Sequence, residues 1–171
     1  MDYIRGIIIE YKSKGIIIDT NLLILFIVGK YDILYIEKCN RVKDKKYTVD
    51  DYKFINNLLS LFYKIYVTPH VLAELSNLSF KDIKDQAFLE YFEYVLKIIK
   101  ATLEVHISKD IILDIPMFKK FGFADTSIFE LATKENLPVI TDDLKLHHYL
   151  IGFGIRSINM DSIRATLWLN K

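Results

Sequence analysis

Four carboxylates in this 171-residue chain could do chemistry together, because each lies at the edge of an apolar run. They are Asp19 after Ile16-Ile17-Ile18, Glu74 within Val71–Leu75, Asp125 between Phe121–Ala124 and Ser127–Phe129, and Asp143 just past Pro138–Thr141. Carboxylate oxygens are the ligands that hard divalent cations prefer. If the fold brings these residues together, they form an oxygen-only pocket suited to hydrolysing a phosphodiester.

Each of these acids also has a simpler interpretation. Asp19, Asp125 and Asp143 lie at plausible helix N-termini, where an aspartate most often only caps the helix. Glu74 taken alone is a solvated helix residue. The combination favours a site, because capping does not explain a glutamate on the border of an apolar stripe. Bringing like charges together destabilises a fold, and function is one reason to tolerate that cost.

The elements that would position these acids alternate between strands and helices. Short β-branched runs predict buried parallel strands, and 3.6-residue periodicity with capping signals predicts helices. The predicted strands are 16–18, 65–67, 104–107, 139–141 and 155–158. The predicted helices are 21–28 (ending at Gly29), 48–62 capped by Thr48, one starting at Thr68-Pro69, 82–100, 125–135 and 144–150, while Pro116 interrupts 108–120. This order predicts an α/β fold, a three-layer α/β/α sandwich around a mostly parallel sheet.

Length and composition predict one soluble domain over residues 1–171. Residues 1–14 hold a second isoleucine run, Gly6–Glu10, which we expect to be an N-terminal extension or an antiparallel edge strand. The net charge of +1 does not by itself indicate binding to nucleic acid or to a membrane. The single cysteine, Cys39, excludes an intramolecular disulfide and suits a reducing cytoplasm. No apolar stretch is long enough to span a bilayer, so we expect a cytoplasmic protein without membrane contact.

Four segments resemble, in order, the motifs of the PIN-domain ribonuclease family. They are Ile17-Ile18-Asp19-Thr20-Asn21-Leu22-Leu23, Thr68-Pro69-His70-Val71-Leu72-Ala73-Glu74-Leu75, Phe123-Ala124-Asp125-Thr126-Ser127-Ile128 and Leu137-Pro138-Val139-Ile140-Thr141-Asp142-Asp143. The resemblance covers roughly residues 15 to 160. It implies a Mg²⁺- or Mn²⁺-dependent endoribonuclease that leaves a 5′-phosphate and a 3′-hydroxyl. Many members are toxins of toxin–antitoxin pairs, so it also implies an RNA substrate, a small antitoxin partner and a homodimer.

The resemblance also assigns roles to residues. Asp19, Asp125 and Asp143 would bind metal, and Glu74 would position the water or a second ion. Asn21 and Thr141 would orient these groups. Asp142 beside Asp143 leaves the fourth ligand open between the two, and the motif spacing favours Asp143.

Three other features could contribute to function. Lysines and Arg41 cluster between Lys30 and Lys46, where they could grip RNA phosphates or form a solvated face. His70 and Glu74 have a spacing that could suit zinc, without a third ligand in pattern. Aromatic residues make up 13% of the chain, and some could stack on bases although most should belong to the core.

Two other functions compete with the nuclease. One is a catalytically silent PIN-like module that binds nucleic acid or protein. The other is a Mg²⁺-dependent phosphoaspartate protein, which also places an aspartate after a first strand. Against the second, a phosphatase of that type needs an aspartate where this chain has Asn21, and a receiver needs a lysine after a late strand, where this chain has Asn159.

Overall fold

The computed structural model describes residues 2–79 and 86–169. The strands are β1 (Ile16–Ile18), β2 (Ile65–Val67), β3 (Leu103–Glu104), β4 (Val139–Thr141) and β5 (Ser157–Asn159). The helices are α1 (Asp2–Tyr11), α2 (Thr20–Tyr31), α3 (Asn40–Asp44), α4 (Val49–Leu59), α5 (Pro69–Ser79), α6 (Gln86–Lys100), α7 (Lys109–Asp114), α8 (Phe118–Glu135), α9 (Leu144–Gly152) and α10 (Met160–Leu169).

The strands form one five-stranded sheet in the order β3-β2-β1-β4-β5, and every pair is parallel. The central strand β1 pairs with β2 through Ile17 and Tyr66, and with β4 through Ile18 and Ile140. Helices flank the sheet, so the predicted α/β fold with a parallel sheet is confirmed. Within the described residues, no helix is both long and apolar enough to cross a bilayer.

The core is centred on β1 and on α2, the helix that follows it. All three residues of β1 are fully buried, and α2 is buried from Leu22 through Gly29. A helix that is apolar on all sides must be covered on all sides, and α2 packs against α4, α5 and α6. The residues at the start of α2 are therefore held in place by the packing of the helices around it.

Residues 1–14 contain a helix, not the edge strand that the isoleucine run suggested. In α1, Ile7 and Tyr11 are buried one turn apart, and Ile4 and Ile8 pack beside them. Ile9 points outward. A run of β-branched residues favours a strand locally, but here burial at helical spacing outweighs that preference.

The end of α2 also differs from the prediction. The helix continues through Gly29 to Tyr31. A Cβ at position 29 would collide with the ring of Tyr52. Gly29 is therefore a point of close approach between α2 and α4 and not a helix terminator.

Several other boundaries shift. The helix predicted from Asp125 begins at Phe118, with a kink at Gly122, whose φ of 75° and ψ of −168° are not helical. The last strand starts two residues later and ends one residue later than predicted, and β3 covers only Leu103–Glu104. Pro116 does separate two helices, α7 and α8. Of the helix predicted over 82–100, residues 82–85 lie outside the described residues.

Candidate functional site

The predicted acidic residues gather at the carboxyl edge of the sheet. Asp19 directly follows β1, and Asp142 and Asp143 directly follow β4. The chain fills one side of β1 first and then crosses to β4 on the other side, so these strands flank a topological switch point. In open parallel sheets a crevice forms there, beyond the strand ends, and ligands usually bind in it.

Asp19 occupies the N-cap position of α2, but its side chain caps nothing. Its Oδ2 instead accepts a hydrogen bond of 2.6 Å from the Thr141 hydroxyl. The same hydroxyl oxygen accepts the backbone N–H of Asp143 at 2.9 Å. Capping therefore does not account for Asp19, and Thr141 is a support that joins the ends of β1 and β4.

Asp143 does cap a helix. Its Oδ1 accepts the backbone N–H groups of Lys145 at 2.6 Å and Leu146 at 3.0 Å, at the start of α9. The capping interpretation therefore applies to one oxygen of this residue. Asp143 is only half-buried, and it also contributes charge to the cluster, as Asp125 shows below.

Glu74 is linked to Asp19 through Thr20, the residue that follows Asp19 in the chain. Its Oε2 accepts a hydrogen bond of 2.6 Å from the Thr20 hydroxyl. Thr20 is buried and begins α2 directly after Asp19. The glutamate from α5 is thus held at the end of β1, where the sequence motifs predicted it.

Asp142 is the most fully paired acid of the cluster. Lys45 donates to its Oδ2 at 2.9 Å, and Asn21 donates to its Oδ1 at 3.2 Å. The oxygen of Asn21 in turn accepts from Arg41 at 2.7 Å. Burial opposes ionisation of Asp142, but the hydrogen bonds and the charge of Lys45 hold its pKa below the usual value.

The other two deep carboxylates are not compensated in this way. Burial, the charge of Asp142 and, less strongly, that of Glu74 raise the pKa of Asp19 to about 7, against the opposing hydrogen bond from Thr141. Burial and the charges of Asp19, Asp143, Glu74 and Asp142, in that order, raise the pKa of Asp125 to about 8. Both shifts have the same cause: burial among like charges disfavours the ionised form. Asp125 therefore lies within electrostatic reach of the other three predicted acids, and Asp19 within reach of Glu74.

A buried hydroxyl pair fixes α5 relative to α8, and so Glu74 relative to Asp125. Ser127 donates its hydroxyl proton to the carbonyl of Ala124 at 2.7 Å, and its oxygen lies 2.7 Å from that of Thr68. Because each hydroxyl has one proton, Thr68 must donate to Ser127. The Thr68 oxygen also accepts the backbone N–H of Val71 at 3.3 Å, at the start of α5.

The donor chemistry of this cluster fits Mg²⁺ or Mn²⁺, because it consists of oxygen atoms and carries excess negative charge. Among residues 2–79 and 86–169, however, no three His, Cys, Asp or Glu side chains are arranged to hold one ion. Three of the acids instead contact Thr20, Thr141 and Lys45. The hydroxyl contacts use one oxygen each of Asp19 and Glu74, and the ligand set is not preassembled.

Sequence reasoning missed Thr20, Lys45 and Arg41 as members of the cluster. Thr20 lies inside the first motif but was not singled out. Lys45 and Arg41 belong to the basic segment between Lys30 and Lys46, which we considered only for RNA contact or as a solvated face. The one sequence signal for Lys45 and Arg41 was the excess of basic residues in their segment. Such residues could have been expected to pair with the acids that follow the strands.

The fold and the cluster define a parallel α/β protein with acidic side chains at the carboxyl ends of the strands that flank its topological switch point. No protein-family model matches the chain, and no curated protein matches it significantly.

Proposed function

We propose that this protein is a Mg²⁺- or Mn²⁺-dependent endoribonuclease of the PIN-domain kind. The observation that carries the proposal is the meeting of carboxylates from four separate segments at one crevice, with Asp19 and Asp125 held at raised pKa values of about 7 and about 8. Burying like charges costs stability. A bound cation is the simplest compensation, and the resemblance of all four motifs to that family supports the same function.

Asp19, Asp125 and Asp143 are the residues we assign to metal binding. Asp143 is preferred over Asp142 because one Asp143 oxygen lies outside the helix cap, whereas Asp142 uses both oxygens on Lys45 and Asn21. A bound Mg²⁺ or Mn²⁺ would offset the negative charge of the scissile phosphate. It would also lower the pKa of a water molecule.

The other residues orient these groups. Thr141 keeps Asp19 pointed into the crevice, and Thr20 does the same for Glu74. Glu74 orients the attacking water and accepts its proton at a carboxylate oxygen. Attack in line with the leaving 3′-oxygen, which takes a proton from solvent as its bond to phosphorus breaks, gives a 5′-phosphate and a 3′-hydroxyl, as the family resemblance implies.

A second function has one observation in its favour. Glu74, Asp19 and Asp142 already have protein partners, and within the described residues no three ligands surround a common point. That arrangement also suits a catalytically silent module that binds nucleic acid or protein. Such a module would bind RNA without cleaving it in Mg²⁺ or Mn²⁺.

The test is cleavage of a fluorogenic single-stranded RNA by the purified full chain, with Mg²⁺ or Mn²⁺ and with EDTA. We expect metal-dependent cleavage by the wild type and its loss in Asp19→Asn and Asp125→Asn. Asp50→Asn is the matched control, because Asp50 is an exposed acid that pairs with Lys53 at 3.7 Å, away from the cluster in the part of the chain that the structure describes. Cleavage that persists in both crevice variants, or that is absent from the wild type, contradicts the proposal.

The toxin role is part of the same proposal, and it has its own readout. Expression of the wild type alone in a bacterial host should arrest growth, whereas expression of Asp19→Asn should not. A small antitoxin encoded beside it would then restore growth and purify with the protein. Equal growth with both forms contradicts the toxin role and leaves the nuclease activity to be judged by the cleavage assay.

A further inference from the structure

A groove beside the acidic cluster contains aromatic, amide and basic side chains that the proposed chemistry does not use. Its volume is about 620 Å³, within the usual range for a ligand site. The residues that line it include His70, Glu74, Asn77, Lys109, Gly122 and Phe123. Glu74 belongs both to this groove and to the acidic cluster, so the two are continuous.

Phe123 forms an exposed aromatic platform in this groove. Its ring stacks on the imidazole of His70, with centroids 5.2 Å apart and planes inclined by 24°. Phe118 supports it edge-on at 4.7 Å. Despite these contacts Phe123 remains 42% exposed. A ring that is fixed by its neighbours and still open to solvent is well suited to stacking on a planar group.

The backbone at Gly122 places this ring. Its φ of 75° is in the region that side chains disfavour, and the irregular backbone there separates the first turn of α8 from the rest. Phe123 shares the groove with Glu74, whose carboxylate accepts the Thr20 hydroxyl at the end of β1. A group stacked on Phe123 therefore lies beside the acidic cluster.

The groove also offers polar contacts at its rim. Asn77, exposed on α5, carries an amide that can both donate to and accept from a base edge. Lys109 begins α7, and its side chain is 73% exposed and pairs with its exposed neighbour Asp110 at 2.8 Å. An exposed pair of this kind is weak, so the ammonium is free to turn to a phosphate.

We propose that this groove binds an unpaired base of a single-stranded RNA, stacked on Phe123 within a nucleotide or two of the scissile phosphate. The inference rests on the proposed nuclease function for its ligand. It adds to that function a subsite for one base beside the acidic cluster, which a base of a duplex cannot enter because it is already stacked on its neighbours.

The test measures binding, not cleavage, by fluorescence anisotropy with the full chain carrying Asp19→Asn in Mg²⁺. Two labelled probes of equal length are compared: an eight-nucleotide single-stranded RNA, and the same backbone with every base removed. Phe123→Ala should weaken binding of the first by about 5-fold to 100-fold, the usual range for one stacked base. It should leave the affinity for the abasic backbone unchanged to within about twofold, because only the base contact is lost.

Three further variants separate stacking from other causes. Phe123→Tyr should bind like its parent, since it keeps the ring. Phe153→Ala removes a phenylalanine that is 63% exposed and packed on Phe129 and Tyr149, away from the groove, and should change nothing. Lys109→Ala should weaken both probes alike and reduce the salt dependence of binding by about one unit of slope, as for a lost phosphate contact.

The results that overturn the inference are equal losses on both probes with Phe123→Ala, or no loss on the base-bearing RNA. A duplex RNA whose affinity depends equally on Phe123 would also overturn it. A DNA strand of the same sequence shows whether the sugar matters: Phe123 dependence on both strands, or on RNA alone, supports the stacked base. Because no cleavage is measured, failure here is distinguishable from failure of the nuclease proposal, which depends on Asp19 and Asp125 in the cleavage assay.

Discussion

Asp19 and Asp125 each carry an electrostatic cost in the ionised form, which either a proton or a bound cation would relieve. Both have pKa values well above the ordinary 3.8, because they are buried beside other carboxylates. Asp142, in the same crevice, has its pKa lowered, because Lys45 and Asn21 donate to it. In this cluster the charge of Asp142 is balanced by hydrogen-bond donors, whereas Asp19 and Asp125 are repelled by neighbouring carboxylates.

This division predicts how the metal-free protein responds to pH. Some carboxyl groups have a higher pKa in the folded protein than in the unfolded chain. At pH values between those two pKa values, such a group binds more protons in the folded state. The free energy of unfolding therefore falls as pH rises, here from about 4 to about 8. We expect thermal melts in EDTA to show a lower Tm at pH 8 than at pH 5, and Asp125→Asn to reduce that difference.

The comparison with the variant isolates the acidic cluster from other titrating groups. Burial also lowers the pKa of His147, which acts in the opposite direction near pH 6.5 and below, but it does so equally in both proteins. Asp50→Asn, an exposed acid, should melt like the wild type at both pH values. Parallel pH profiles for the wild type and Asp125→Asn would contradict the claim that Asp125 is held under repulsion.

At this scale, the sequence predicted the acids better than their partners. Each acid was recognisable because it ended or opened an apolar run, and that pattern is local. Lys45 and Arg41 reach the crevice from a segment of short helices and turns, where no periodicity tells which side chain points inward. The ambiguity between Asp142 and Asp143 was likewise visible in the sequence, and only the contacts of Lys45 and Asn21 distinguish the two.

At the scale of elements, the relative placement of α5 and α8 depends on the Thr68–Ser127 hydroxyl pair. Thr68→Val keeps the shape of the side chain but removes the hydroxyl that donates to Ser127 and accepts from Val71. We expect it to destabilise the protein by about 2 kcal/mol, from one lost cap and one buried hydrogen bond. Chemical denaturation measures this loss directly.

Two controls sharpen that experiment. Thr68→Ser retains the hydroxyl and should recover most of the stability. Thr133→Val removes a hydroxyl that only bonds to the carbonyl of Phe129 within α8, and at that exposed position the change should stay within about 0.5 kcal/mol. If Thr68→Val were as stable as the wild type, the pair would not be what holds the two helices in register.

Elements were predictable where local and tertiary preferences agree. Strands β1, β2 and β4 were predicted with the bounds that the structure has, because short β-branched runs are typical of buried parallel strands. Helix α1 was missed because its isoleucine run favours a strand locally, and only its packing on the core decides otherwise. The extension of α2 through Gly29 was missed for a similar reason, since the crossing of α4 cannot be read from α2 alone.

At the scale of the whole molecule, the sheet topology creates the site. The Thr141 hydroxyl and the Asp19 carboxylate that it binds are 122 residues apart in the chain. They meet because β1 and β4 are parallel neighbours on either side of the switch point. The sequence predicted the α/β class from the alternation of elements, but the strand order depends on long-range pairing that no local pattern specifies.

The same topology would link the proposed metal binding to folding, because the unfolded chain has no cluster to bind an ion. A ligand that binds only the folded state at a hundredfold excess over its dissociation constant stabilises that state by about 2.7 kcal/mol. Calorimetric titration of Mn²⁺ into the full chain at neutral pH is therefore the most direct test of the central claim. The account predicts saturable binding that is lost in Asp19→Asn and Asp125→Asn and retained in Asp50→Asn. Absence of binding, or equal binding by all four proteins, would contradict it.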